Sequence, residues 1–389
     1  MHLRRASLTA ILTAVLATAG TTACAAAAAQ TATPATPATP ATAATLTTAT
    51  TAAVPWSRVG PGWVLAEYTT AHPEGGAAGP ETLDLVSPSG TVYQLARWPD
   101  SRSAPNLIAW SPDGKRALFQ VFTGKGGAEQ LTLATGRTST FLIQGAANPI
   151  GYTLPDGLNI LAGRPAGSDI SLARYSLSGR LTRSLGSSTG GTVLYQPSGA
   201  AFLTGAGHGL KLVSNNGTLV RNLPVPGTAA NTCNPVRWWT ASTVLASCAP
   251  PESAGPQLWL VPAGGGRPQA LTPVRKVSSG DLGDLDAWTL SSGLYLQSAG
   301  PCGVLQIFRQ ARGGSITLVK VPRTEGDNHV LTALGARLLI QAPTSCVGSN
   351  SLLWFNPGTG AEQWLIRAPA NVVGVVAALP FYSRQNGNL

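Results

Sequence analysis

The sequence predicts an all-β fold, a ring of seven four-stranded blades behind a disordered N-terminal tail, and three observations carry that reading. The first is composition: 11% charged residues against 43% hydrophobic, with 45 Gly and 30 Pro, suits short buried strands between tight turns better than long amphipathic helices. The second is a recurring pattern of apolar strand, tight turn, apolar strand, Gly/Pro/Ser loop, apolar strand, Gly turn, apolar strand. The third is its period. The aromatic or large apolar residue closing the first strand falls at Trp56, Trp110, Tyr152, Tyr195, Trp238, Trp288 and Leu331, at spacings of 54, 42, 43, 43, 50 and 43 residues. A single four-stranded sheet cannot bury both faces until neighbours stack on it, so such a period reads as a β-propeller. Some units are degenerate, and six or eight blades are also compatible with the pattern.

Taken in chain order, residues 1–24 form a secretory signal. Arg4 and Arg5 supply the positive start, Ala6 to Ala19 the apolar stretch, and Thr22-Ala23-Cys24 a small-residue exit. Cys24 after an apolar stretch resembles the lipobox of bacterial lipoproteins, in which the cysteine is lipidated. Thr21 departs from the Leu usual in that motif, and ordinary cleavage near Ala25 or Ala27 is the competing reading. Residues 25–53 carry no charge and almost no large apolar side chain, so they cannot offset the entropy of ordering and are expected to be disordered. The propeller is expected over 54–389.

Within it, Leu107 to Gln120 is the clearest hairpin. In its turn, Ser111-Pro-Asp-Gly114, Pro presets φ, Asp can bond its own backbone and Gly accepts positive φ. Related turns stand at Leu154-Pro-Asp-Gly157, Gln196-Pro-Ser-Gly199 and Leu290-Ser-Ser-Gly293. The second hairpin of the unit turns at Ser87-Pro-Ser-Gly90, Ser176-Leu-Ser-Gly179, Asn215-Asn-Gly217 and Asn356-Pro-Gly358. A ring needs closing, or two strand edges stay unpaired. Asn371 to Ala377 aligns with the first strands Asn148 to Tyr152 and Asn234 to Trp238, and is expected to join the first blade as its innermost strand, competing with or replacing Val54-Pro-Trp56.

On Trp110-Ser-Pro-Asp-Gly-Lys-Arg-Ala-Leu-Phe119 and Leu258-Trp-Leu-Val-Pro-Ala-Gly-Gly-Gly-Arg-Pro-Gln-Ala-Leu-Thr272, the chain resembles the TolB-like and WD-repeat-like β-propellers of bacteria. The resemblance spans about residues 54 to 369 and implies a propeller in an exported protein. It does not extend to the Tol envelope system, because a disordered tail stands where that protein's extra N-terminal domain would be. TolB itself has six blades, against the seven units counted in this chain.

Apart from Cys24, four cysteines remain, an even number that an oxidising compartment can pair. Cys233 and Cys248 flank the first hairpin of the fifth unit symmetrically and are expected to be cross-strand partners, within disulfide reach. Cys302 and Cys346 fall in corresponding loops of adjacent units and form the second expected pair. CxxC-like spacing for a thiolate zinc site is absent, and no metal or cofactor is expected.

The remaining motifs read as structural. Gly186-Ser-Ser-Thr-Gly190 matches GxSxG formally, but that motif needs a strand-to-helix elbow, and it reads as a turn in a linker. Gly205-Ala-Gly-His-Gly209 lacks the helix start of a phosphate cradle. Asp281, Asp284 and Asp286 do not match a Ca²⁺-loop spacing and read as a solvated acidic loop. The mature chain, at 24 basic against 16 acidic residues, favours anionic partners.

The functional expectation is an exported, non-catalytic binding or scaffolding module at the cell envelope, a monomer, secreted or anchored outside the membrane through lipid. Its partner would be a protein or an anionic envelope polymer, not nucleic acid. The alternative is a lyase or glycosidase using the channel mouth. Turns between strands one and two and between three and four are short, whereas the other connections are longer and emerge together on one face. That face is expected to bind, through His72, Arg97, Arg102, Lys125, Arg164, His208, Arg275, Lys276 and Arg323, with Cys233, Cys248, Cys302 and Cys346 on the same side.

Overall fold

The Ser111-Pro-Asp-Gly114 turn closes by the chemistry of its residues. Gly114, at φ 72°, donates its N–H to the Ser111 carbonyl at 2.9 Å. The Ser111 hydroxyl donates to Asp113 Oδ1 at 2.5 Å and accepts the Arg116 N–H at 2.8 Å. Each such turn folds the chain back on itself, and the repetition gives an all-β computed structural model. It describes residues 48–49, 54–70, 80–99, 104–121, 126–251, 255–277, 282–300, 304–343, 350–367 and 370–377.

The strands, in chain order, are Thr48–Ala49 (β1), Val64–Thr70 (β2), Glu81–Val86 (β3) and Val92–Trp98 (β4); then Asn106–Trp110 (β5), Arg116–Val121 (β6), Gly127–Thr132 (β7) and Arg137–Leu142 (β8). Next come Asn148–Tyr152 (β9), Asn159–Ala166 (β10), Asp169–Ser176 (β11) and the long Leu181–Tyr195 (β12), followed by Ala201–Ala206 (β13), Gly209–Ser214 (β14) and Leu219–Pro224 (β15). Asn234–Trp238 (β16), Thr243–Cys248 (β17), Gln257–Pro262 (β18) and Gln269–Ala270 (β19) make one sheet. Asp284–Leu290 (β20), Gly293–Ala299 (β21), Leu305–Gln310 (β22) and Ile316–Leu318 (β23) make another. The last are His329–Leu334 (β24), Arg337–Pro343 (β25), Asn350–Asn356 (β26), Ala361–Ile366 (β27) and Ala370–Ala377 (β28).

These strands form seven antiparallel blades, numbered from the N-terminus. β12 serves two of them: its first part pairs with β11 as the outer strand of blade 3, and Val193 to Tyr195 pair with β13 as the inner strand of blade 4. Gly186-Ser-Ser-Thr-Gly190 therefore lies on a continuous strand, not in a linker. Its Ser188 is buried against the Thr204 hydroxyl.

Blade 1 closes the ring. β28 pairs antiparallel with β2 from Val64↔Ala377 to Thr70↔Ala370, as the innermost strand of a sheet ordered β28-β2-β3-β4. Trp56 stands instead in a 3-10 turn, Trp56–Arg58, so β28 replaces that segment. Leu331, the seventh sequence marker, is the unpaired bulge residue of β24, whereas Trp110, Tyr152, Tyr195 and Trp238 are the last paired residues before their turns. Thr48–Ala49, inside the segment expected to be disordered, pairs in parallel with β4 at Val92 and Tyr93: the backbone groups of an outer edge can be satisfied without large side chains.

The apolar core is divided into seven layers, one at each blade junction. Leu65, Leu83 and Leu85 of blade 1 meet Trp110 and Phe119 of blade 2. Val64, Ala66 and Val86 on the opposite face of blade 1 meet Leu339, Leu352 and Trp354 of blade 7. The other junctions are filled likewise. Burying both faces explains why the strands read as near-continuous apolar runs. The third-to-fourth-strand turns at Gly90, Gly179, Gly217 and Gly265 add a second contact, packing on the outer strand of the preceding blade. Gly179 sits so close to Leu142 that a Cβ would lie 2.2 Å from its carbonyl oxygen.

Candidate functional site

In blades whose strands alternate in direction, the connections from strand two to three and from strand four to the next blade leave on one face. Several expected residues are on it. His208 is exposed in the β13–β14 turn, with Nδ1 2.8 Å from the Thr228 carbonyl, and Lys276 is exposed in the connection to blade 6. Arg164 lies exposed on β10 and Arg97 exposed on β4, both on strands rather than in loops. Arg323 holds a left-handed φ of 58°, ion-pairs Glu362 and places its guanidinium 5.5 Å from the Trp364 ring centre. His72, Arg102, Lys125, Cys302, Cys346, Asp281 and Cys24 lie outside the described residues.

Arg275 does not face outward. Its Nη2 reaches Asp284 Oδ1 at 2.5 Å and Ser298 Oγ at 3.2 Å, and Ser298 donates to the same carboxylate at 2.7 Å. Asp286 is clasped by both ends of the Arg237 guanidinium, which also lies 4.3 Å from the Trp288 ring centre. Asp284 and Asp286 are thus strand residues in ion pairs, not parts of a solvated loop. Burial holds both carboxyls above the ordinary range, offset only in part by the Ser298 bond and Arg275 at Asp284 and by Arg237 at Asp286.

Cys233 and Cys248 are bonded, with Cα atoms 4.0 Å apart, both buried at the start of β16 and end of β17. The bridge pins the 225–233 connection, which Ala229 ties to Ala249 and Asn231 ties to Gly207 through backbone hydrogen bonds.

A belt of hydrogen bonds joins successive blades at five of their junctions. From blade 2 to 3, Gln120 Nε2 donates to Asn148 Oδ1 at 3.2 Å; from 5 to 6, Ser247 donates to the Asp284 carbonyl at 3.0 Å. From 6 to 7, Gln297 donates to the Asn328 carbonyl at 2.8 Å; from 7 to 1, Gln341 donates to the Val372 carbonyl at 2.9 Å. From 1 to 2, Glu67 Oε2 accepts the Leu107 N–H at 2.9 Å. Each links the second strand of one blade to the innermost strand of the next or, at Asn328, to the residue just before it. Sequence reading missed these residues. Their signal is a Gln near the end of the second strand after an apolar pair, at Gln120, Gln297 and Gln341. Beyond the belt, the bulged residues of six innermost strands are aliphatic, Ile108, Ile150, Val236, Leu285, Leu331 and Val373, whereas blade 4 carries Gly190, Gly191 and Thr192 there. Among the described residues, no three His, Cys, Asp or Glu side chains gather as a metal site.

The sheets define a seven-bladed β-propeller. No family model matches the chain, and no curated protein matches it in sequence. Among solved structures, it is similar to TolB from Acinetobacter baumannii at 14% identity and TM-score 0.43, over 81% of this chain and 66% of that one. The periplasmic gluconolactonase of Pseudomonas aeruginosa is similar at 14% identity and TM-score 0.46, over 81% and 99%. The β-propeller domain of the trilobed protease from Pyrococcus furiosus is similar at 12% identity and TM-score 0.48, over 78% and 94%.

Proposed function

We propose that the protein is an extracytoplasmic binding module whose partner, a protein or an anionic envelope polymer, docks on the loop-rich face. The observation that carries this reading is topological: the variable connections of the blades share one face of a rigid ring, the arrangement in which recognition is placed on loops. Exposed Arg164 and Lys276, with exposed Arg97 near the end of β4, supply cationic groups to that side. The Cys233–Cys248 bridge supports an oxidising compartment, in line with the signal-like N-terminus. Binding is favoured over glycosidic or lyase chemistry because Asp284 and Asp286 are engaged by arginines.

The test is retention on native cell envelope, proteins included, of a chain with Cys24→Ala, compared with the same chain carrying Arg97→Glu, Arg164→Glu and Lys276→Glu. Weaker, less salt-sensitive retention of the charge-reversed form is expected. Equal retention at all salt concentrations would overturn the reading.

A further inference from the structure

A different surface carries charge and apolar side chains together. From Ile170 to Pro251 the chain holds six basic residues, Arg174, Arg180, Arg183, Lys211, Arg221 and Arg237, and no Asp or Glu. Three of them, Arg180, Arg183 and Arg221, are exposed on or beside the outermost strands of blades 3 and 4. The same strands, with that of blade 2, expose large aliphatic side chains: Leu142 at 56%, Leu181 at 44%, Leu219 at 52% and Val220 at 54%.

Contacts between blades make these residues one surface. Leu142 at the end of β8 lies against Gly179, and the Leu181 N–H donates to Gln144 at 3.1 Å, so blades 2 and 3 meet at this rim. Arg183 Nη1 donates to the Asn216 carbonyl at 3.3 Å, joining blade 3 to the turn that precedes Leu219. Val220 is the bulged residue of β15, left unpaired between Leu219 and Arg221. An edge strand needs only charge to resist pairing with another edge, so the arginines alone would have protected the rim. The exposed aliphatics need another explanation.

We infer that the rim of blades 2 to 4 docks on an anionic phospholipid surface, with the arginines meeting the headgroups and Leu142, Leu181, Leu219 and Val220 entering the interface. Cationic residues attract anionic lipid within about a Debye length, and exposed aliphatic side chains gain by leaving water at the acyl boundary. A soluble polyanion would use the arginines but gain nothing from the aliphatics. A neutral apolar partner would gain nothing from the absence of acidic residues. With its rim on the membrane, the propeller keeps its loop-rich face clear for a partner.

The test uses residues 48–389, which form one compact unit carrying its own closing strand and exclude the apolar leader and Cys24. Co-sedimentation is measured with phosphatidylglycerol-containing and with pure phosphatidylcholine vesicles. Preference for the anionic vesicles is expected, weakening with salt. Arg180→Gln, Arg183→Gln and Arg221→Gln each lower partitioning about fivefold, roughly 100-fold together. Leu181→Ser, Leu219→Ser and Val220→Ser together lower it as well, with unfolding midpoints unchanged because the sites are exposed. No preference for anionic vesicles, or undiminished binding by either set of variants, overturns the inference; undiminished binding of the aliphatic variant alone points to a soluble polyanion instead. Arg97→Glu with Lys276→Glu leaves vesicle binding intact, which separates this surface from the loop-rich face.

Discussion

Asp84→Asn is expected to stabilise the protein at neutral pH. Asp84 sits on β3 opposite Ala66 and Gln94, 1% exposed, on the face of blade 1 that meets Leu339, Leu352 and Trp354 of blade 7. The Tyr68 hydroxyl bonds its carboxylate, but burial outweighs that bond and pushes the Asp84 pKa up from the ordinary 3.8 to about 6. Tyr68 is itself pushed up, by burial first and then by the Asp84 charge. Below pH about 3.8 the folded and unfolded states both hold the proton, and burial costs nothing in charge. Between about 3.8 and about 6 the unfolded chain has released this proton while the folded protein still holds it, so stability falls across that window and levels off above it. The gap of about two pKa units corresponds to about 3 kcal/mol. Asn keeps an acceptor for Tyr68 and removes the charge. Urea unfolding from pH 4 to 8 is expected to show the two proteins alike near pH 4, with Asp84→Asn gaining by up to about 3 kcal/mol at pH 7.5. Asp284 and Asp286 titrate in both, so the difference between the curves isolates Asp84. Parallel curves, or a variant less stable at pH 7.5, would refute the reasoning.

Three further outcomes test the ring itself. Cys233→Ser with Cys248→Ser opens a loop with a sequence separation of 15 residues and should lower stability by about 3 kcal/mol, read as a shifted urea midpoint that reductant reproduces in the parent protein. Gln341→Ala removes the bond to the Val372 carbonyl and should cost about 1 kcal/mol. Deleting residues 370–389 removes the closing strand and should lower the thermal midpoint far more than deleting 1–47; equal midpoints would contradict closure by β28.

Much of the architecture is determined locally, and so is visible in the chain alone. A turn such as Ser111-Pro-Asp-Gly114 carries its geometry in its own side chains, and seven repetitions at a regular spacing leave stacking as the way to bury both faces of each sheet. The alignment of Asn371 to Ala377 with other first strands marks it as an innermost strand, because that resemblance is also local. The Cys233–Cys248 pair follows from its symmetry about one hairpin.

What the tertiary structure alone decided involves residues from different blades. Whether Asp284 and Asp286 are solvated or buried depends on Arg275 and on Arg237, which comes from the preceding blade and lies 49 positions away in the chain. Arg275 and Lys276 are neighbours in sequence, yet one turns inward to a carboxylate and the other outward to water. The belt of bonds between blades and the basic, aliphatic rim likewise arise only when blade follows blade. Sequence spacing sets the period of the repeat, but the ring's curvature sets which side chains of successive units touch, and burial then decides which charges are paired and which are left for a partner.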